Sequence, residues 1–97
     1  MKSILISYDQ AHHEAIIEIL DKHACRGFTN FGIVQGRGSH KGEPLYGSHA
    51  WPSLAQAIIT IVPDESAPGV LRDLRALDES KPRLGLRAFQ WNIEESI

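Results

Sequence analysis

The sequence is poor in cysteine, in long apolar runs and in excess charge of either sign. Its one cysteine, Cys25, has no intrachain disulfide partner, and small secreted domains usually depend on disulfides, so we expect a cytoplasmic protein. The first apolar stretch, residues 4–6, is too short for a signal peptide or a membrane span. A net charge of −2 gives no reason to expect a general nucleic-acid-binding surface.

Internal repeats and low-complexity tracts are also absent, and 97 residues with 42% hydrophobic content predict a single globular domain over residues 1–97. A chain of this size buries only about 60% of the surface that its unfolded form exposes. Its stability margin is therefore thin, and we expect association with further subunits.

Hydrophobic periodicity predicts six elements in the order strand, helix, strand, strand, helix, strand. The strands are predicted at 2–8, 28–35, 53–63 and 88–93, with a bulge or a late start near Arg87. Asp9 is a candidate cap for the first helix, which we expect Gly27 to end, and Pro68 suits the first turn of the second helix. This order predicts the α+β ferredoxin-like βαββαβ fold, a four-stranded antiparallel sheet with two helices on one face.

The third predicted strand is apolar on both sides. Leu54, Ile58 and Val62 alternate with Ala57, Ile59 and Ile61, although the two helices of this fold cover only one face of the sheet. An uncovered apolar face favours burial against another subunit.

Between the second and third strands lies a glycine- and proline-rich segment, residues 36–52, which lacks any sustained apolar period. Connections longer than about 12–15 residues are usually functional or disordered, so activity is expected here. Glycines allow backbone N–H groups to converge on an anion, and Arg37, Ser39 and Lys41 add donors. A flexible polar hairpin is the other interpretation of the same pattern.

The spacing of Gly36, Gly38, Lys41 and Gly42, the long loop, and the strand exit at 61–65 resemble the PII family of nitrogen-regulatory signalling proteins and their PII-like relatives. The resemblance implies a homotrimer whose long loop, the T-loop (36–52 here), contacts a target such as a membrane transporter or an enzyme. It also implies a small effector, often an adenine nucleotide, bound between subunits at the loop base, where these four residues would lie.

Departures from the PII pattern place the chain among the PII-like relatives. Ser39-His40 replaces an Arg-Gln type pair, and the glycine-rich turn expected before the last strand is replaced by 79–85. Within and just after this turn, the basic residues that could contact an anion are Lys81, Arg83 and Arg87. Trp51 stands where uridylylated members carry a tyrosine, with Tyr46 earlier, and both are predicted partner contacts.

Histidines supply the alternative function. His40 and His49 share the long loop with Glu43, and imidazole suits divalent zinc, copper or nickel. Divalent-cation tolerance proteins share the fold and the trimer, so a metal-binding or metal-tolerance protein is the second hypothesis. His12 and His13 are expected to be ordinary surface and boundary residues. No nucleophile pairs with a base in the sequence, so we predict that the protein is not an enzyme.

Overall fold

The structure, a computed structural model, describes residues 1–25, 27–37, 44–45 and 54–97. Within these ranges the chain forms six strands, two α-helices and one short 3-10 helix. Their bounds are β1 Lys2–Asp9, the 3-10 helix Gln10–His12, α1 His13–Lys22, β2 Phe28–Val34, β3 Gly36–Arg37, β4 Pro44–Leu45, β5 Ala55–Val62, α2 Ala67–Ser80 and β6 Leu86–Asn92. In the described part of the chain, neither helix is both long and apolar enough to cross a membrane.

The main sheet has the strand order β2-β5-β1-β6, and every neighbouring pair is antiparallel. Strand β1 pairs with β5 from Lys2 opposite Val62 to Asp9 opposite Ala55. Its other edge pairs with β6, and β2 lies beyond β5. The predicted ferredoxin-like fold is therefore confirmed.

A single apolar core joins the sheet to both helices. Even-numbered positions of β1 and β5 point into it, because alternate side chains of a strand share a face. Ile4, Ile6 and Ile58 are fully buried there, and so are Ile16 and Leu20 of α1 and Val70 and Leu74 of α2. Since residues of both helices belong to this one cluster, both helices cover the same face of the sheet.

The opposite side of the sheet, which we call the open face, carries Leu5, Ile59, Ile61, Phe89 and Trp91. Leu5 lies opposite both Ile59 and Phe89 in the strand register. Ile61, Phe89 and Trp91 remain 39%, 51% and 45% exposed. The prediction that β5 is apolar on both sides is confirmed, and the described part of one chain leaves the second side open to solvent.

Helix α1 differs from the prediction at both ends. Asp9 caps the 3-10 helix, since its Oδ1 accepts a hydrogen bond from the backbone N–H of Ala11 at 2.8 Å. Gly27 does not end α1. The helix stops at Lys22, and Ala24 takes the left-handed conformation with φ 58°. The prediction failed because glycine is the usual residue at such a position and an alanine holds it here.

Hydrogen bonds identify the end of α1 as a Schellman motif. The N–H of Cys25 donates to the carbonyl of Leu20 at 2.7 Å, and the N–H of Ala24 donates to the carbonyl of Asp21 at 3.0 Å. Cys25 and Leu20 both belong to the core cluster, which supplies the apolar contact that accompanies this motif. Cys25 is therefore buried at the end of α1, with 5% of its surface exposed.

One register irregularity lies in β2. The pairing of β2 with β5 shifts between Asn30 and Gly32, where Gly32 has φ 76° and its N–H donates to the Asn30 side chain at 2.7 Å. Strand β6 pairs with β1 without a shift from Leu86 to Asn92. Of the two alternatives predicted near Arg87, the late strand start is therefore observed and the bulge is not.

Candidate ligand site at the loop end of the sheet

The sheet register brings four segments to one end of the sheet, which we call the loop end. Strands β1 and β2 finish there, and β5 and β6 begin there. Ala55 lies opposite both Asp9 and Val34, and Tyr8 lies opposite Leu86. The base of the long loop, the 3-10 helix and the turn after α2 therefore occupy the same end of the molecule.

The base of the long loop leaves the sheet as two paired backbone segments. Gly36 pairs with Leu45 and Arg37 with Pro44, so β3 and β4 form a short antiparallel ladder. The N–H of Gln10 donates to the carbonyl of Leu54 at 2.8 Å, which ties the return of the loop to the end of β1.

Most of the predicted loop residues lie outside the described part of the chain. Of the predicted ligand residues in the loop, Gly36 and Arg37 have described backbones. The others remain sequence predictions: ligand contacts Gly38, Ser39, Lys41 and Gly42, partner contacts Tyr46 and Trp51, and metal ligands His40 and His49.

The predicted basic residues after α2 do lie at the loop end. The turn is closed by hydrogen bonds from the N–H of Lys81 to the carbonyl of Asp78 at 3.2 Å and from the N–H of Leu84 to the carbonyl of Lys81 at 3.0 Å. Lys81, Arg83 and Arg87 are exposed. Within the described ranges, none of the three forms an ion pair, so their positive charge is free to meet an anion.

Arg87 has the best-defined position of these basic residues. It lies opposite Ser7, two residues from the end of β1, on the open face of the sheet. Its guanidinium carbon lies 5.5 Å from the centre of the Phe89 ring, within the range of a cation–π contact. The ring therefore restrains the guanidinium beside the loop end.

A polar cluster at this end, formed by Tyr8, His13 and Gln56, was missed by sequence reasoning. The Tyr8 hydroxyl lies 2.7 Å from His13 Nδ1 and 3.4 Å from Gln56 Oε1, and the Tyr8 and His13 rings stack at 5.9 Å. Burial raises the pKa of Tyr8 to about 12, so its hydroxyl stays protonated at neutral pH. A tyrosine at the strand position that follows inward-facing Ile4 and Ile6 was the available signal.

His12 corrects the expectation that the two adjacent histidines are surface and boundary residues. Its side chain is only 3% exposed, and Nε2 has no hydrogen-bond partner among the described residues. Burial lowers the pKa of His12, and the nearby Asp9 carboxylate opposes this shift. A sequence pattern does not distinguish a buried histidine from an exposed one at a helix start, since both precede the same apolar period.

The described residues give no support to the metal hypothesis. Among them, no group of three histidine, cysteine, aspartate or glutamate side chains is placed to hold an ion. The two histidines that the hypothesis names, His40 and His49, lie outside the described ranges. Metal binding at the loop therefore stays a sequence prediction.

No family model and no curated protein matches the chain. Solved structures do match it. CPII from Thiomonas intermedia K12, bound to ADP, AMP and acetate, is 25% identical, with 95% of this chain and 84% of that chain covered at a TM-score of 0.75. The chain therefore has the fold of the PII-like proteins.

Two further structures extend this similarity. CPII bound to ADP, AMP and bicarbonate is 23% identical over 97% of this chain and 88% of that chain, at a TM-score of 0.72. A protein from Thermus thermophilus, assigned to the PII-like signaling proteins, is 23% identical over 95% of this chain and 85% of that chain, at a TM-score of 0.65. The resemblance predicted from the loop glycines is thus confirmed for the fold as a whole.

Proposed function

We propose that this PII-like protein is a regulatory sensor that binds an adenine nucleotide, with or without a second small anion, at the loop end of the sheet. The observation that carries the proposal is the fold match along 95% of the chain to CPII bound to ADP, AMP and acetate. A related CPII structure holds ADP and bicarbonate. The basic residues Lys81, Arg83 and Arg87 at this end support the same ligand class.

Charge and backbone chemistry support the placement of the phosphates. Arg87 and Lys81 form no ion pair with any described residue, and a guanidinium recognises a phosphate through paired hydrogen bonds. The glycine-rich segment 36–42 would add backbone N–H donors, with the side chains of Arg37, Ser39 and Lys41. In this proposal the loop base holds the phosphates, and the protein carries out no catalytic step.

The proposed working form is a homotrimer in the cytoplasm. The apolar open face supports self-association, since Ile61, Phe89 and Trp91 are all more than a third exposed in one chain. Loop segment 36–52 would contact a membrane transporter or an enzyme, with Tyr46 and Trp51 as anchors. Effector binding at the base of this segment would then change the position in which the segment holds Tyr46 and Trp51 for contact with the target.

Calorimetric titration of the whole chain with ADP, AMP and ATP, each with and without bicarbonate, tests the ligand. Arg87→Ala should weaken nucleotide binding by about tenfold or more, because a hydrogen bond to a charged group contributes about 1.5–3 kcal/mol. Arg72→Ala is the matched control, since it removes an exposed guanidinium of α2 away from the loop end. Absence of heat with every nucleotide would contradict the proposal.

Hydrogen exchange tests the role of the loop. We expect amide exchange across residues 39–49 to slow when the bound nucleotide or the target is added, because binding orders the segment at its base. Full protection of these amides in the free protein, together with unchanged target binding after 41–48 is shortened to a tight turn, would remove the loop from the mechanism.

A further inference from the structure

The Tyr8 hydroxyl at the loop end has two side-chain partners but only one hydrogen to donate. It lies 2.7 Å from His13 Nδ1 and 3.4 Å from Gln56 Oε1. A carbonyl oxygen can only accept, so the hydroxyl donates to Gln56, and the protonated Nδ1 of His13 donates to the hydroxyl. With the Gln56 amide placed as it is, this is the arrangement in which both contacts are hydrogen bonds.

The same arrangement sets the chemistry of the atoms that face away from Tyr8. When Nδ1 of a neutral imidazole carries the hydrogen, Nε2 presents a lone pair, and a glutamine whose Oε1 accepts still has its NH2 group to donate. Among the described residues, neither His13 Nε2 nor the Gln56 NH2 group has a partner, and neither belongs to the buried unpaired atoms. Both side chains are partly exposed. The loop end therefore presents one acceptor and one donor side by side.

An apolar surface and a basic surface flank this pair. Ile33 lies opposite Gln56 in the strand register and is 61% exposed, so the face of a planar ring can cover it. On the other side, Tyr8 separates Gln56 from Leu86, whose backbones lie about 10 Å apart because neighbouring strands are about 4.8 Å apart. Arg87 follows Leu86. A nucleoside diphosphate can therefore extend from the pair to the basic residues.

The pair complements the edge of adenine. Adenine carries an amino donor at C6 beside an unprotonated N1, whereas guanine and hypoxanthine carry an oxygen acceptor at C6 beside an N1–H. The amino group of adenine can donate to His13 Nε2 while N1 accepts from the Gln56 NH2 group. A 6-oxopurine in the same position would set its oxygen against the imidazole lone pair and its N1–H against the amide hydrogens.

We infer that His13 and Gln56 recognise the base of the nucleotide and select adenine over 6-oxopurines, and that Tyr8 is the positioning residue that sets their hydrogen-bonding roles. The inference rests on the nucleotide binding proposed above and adds the residues that distinguish one base from another. Phosphate binding at Lys81 and Arg87 involves other side chains, so base selectivity and phosphate affinity are separable.

Calorimetric titration of the whole chain with ADP and inosine diphosphate, at pH 8 so that imidazole groups are neutral, tests the selectivity. The two ligands share the ribose and the phosphates and differ at C6 and N1. ADP should bind about tenfold or more tightly, because a site with fixed hydrogen-bonding groups rejects an analogue that leaves them unpaired. Equal affinities, or tighter binding of inosine diphosphate, overturn this inference and leave nucleotide sensing standing. Absence of binding by both ligands overturns both proposals.

Substitutions assign the selectivity to these side chains. Gln56→Glu replaces the amide donor with an acceptor and should bring the ratio of the ADP and inosine diphosphate affinities to about one. His13→Ala and Tyr8→Phe should each lower the ratio, the second because it frees the orientation of both partners. The control is Gln90→Glu, which adds the same charge at an exposed position of β6 opposite Ile4, and it should leave the ratio unchanged.

The ratio is the readout because a general loss of structure weakens the binding of both ligands alike. An unchanged ratio in the Gln56 or the His13 variant overturns the role of that residue in base recognition. An unchanged ratio in Tyr8→Phe overturns the positioning role of the hydroxyl, whatever that variant does to stability.

Discussion

At the scale of single residues, the buried hydroxyl of Tyr8 combines polarity with complete exclusion from solvent. Tyr8→Phe removes its contacts with His13 and Gln56, and we expect a loss of about 1 kcal/mol in the free energy of unfolding. The folded-state pKa of Tyr8, about 12, exceeds the ordinary 10.0, so folding favours the protonated hydroxyl. Stability should therefore fall as the pH rises from 10 towards 12.

Urea unfolding at several alkaline pH values measures this effect of Tyr8 ionisation. The Tyr8→Phe variant should lose less of its free energy of unfolding at alkaline pH than the wild type, because it has no hydroxyl to ionise at this position. An identical alkaline slope in the wild type and in the variant would show that the hydroxyl is not buried as described.

His12 has the opposite dependence on pH. Burial lowers its pKa below 6.5, so the folded chain takes up a proton at His12 less readily than the unfolded chain. Its contribution to stability is complete above pH 6.5 and is lost as the pH falls below that value. His12→Leu should reduce the loss of stability that occurs as the pH falls below 6.5, measured by urea unfolding. An unchanged acid slope would contradict the burial of the imidazole.

At the scale of secondary-structure elements, Ala24 at the end of α1 gives the clearest prediction. A left-handed conformation costs a residue that has a Cβ about 1–2 kcal/mol. Glycine avoids this cost, but its greater freedom in the unfolded chain costs about 0.5–1 kcal/mol on folding. Ala24→Gly should therefore raise the free energy of unfolding by about 0.5–1 kcal/mol. Ala76→Gly, in the exposed interior of α2, is the control and should lower it by about 0.5–1 kcal/mol.

The contact between the two helices gives a second prediction for the elements. A Cβ on Gly69 would lie 2.7 Å from Cε1 of His23, whose ring is held by a 2.7 Å contact between its Nε2 and Asp73 Oδ2. Gly69→Ala should therefore destabilise the protein by about 1 kcal/mol, although alanine is the better helix former. In a His23→Ala background the same change should instead be neutral or stabilising. A stabilising effect in the wild-type background would contradict this close approach.

Apolar periodicity predicted the type and order of the main elements, because the alternation in β1 and β5 and the helical spacing in α1 and α2 arise directly from burial. It did not predict the end of α1, because a positive φ at Ala24 is stabilised by hydrogen bonds and packing. Topology also placed Arg87 and Lys81 at the loop end. Burial of His12 was missed because it depends on tertiary packing, which no local pattern encodes.

At the scale of the whole molecule, the open face predicts assembly. Ile61→Lys would place an unpaired ammonium group in the interface of the proposed trimer, a change that costs several kcal/mol when the charge is desolvated. Light scattering should then show a smaller oligomer or a single chain at micromolar concentration. Ile97→Lys changes an equally apolar but fully exposed residue and serves as the control. A wild-type protein that is already monomeric would contradict the trimer.

The Schellman motif at the end of α1 also gives the molecule a built-in chemical reporter. The protein's one thiol, that of Cys25, is 5% exposed, and burial raises its pKa, so both access and nucleophilicity are suppressed while the turn is closed. A thiol-specific reagent can therefore modify the protein only when this turn or the core beneath it opens. The labelling rate measures the opening equilibrium, and its decrease on addition of ADP would give the coupling of nucleotide binding to the fold without an introduced probe.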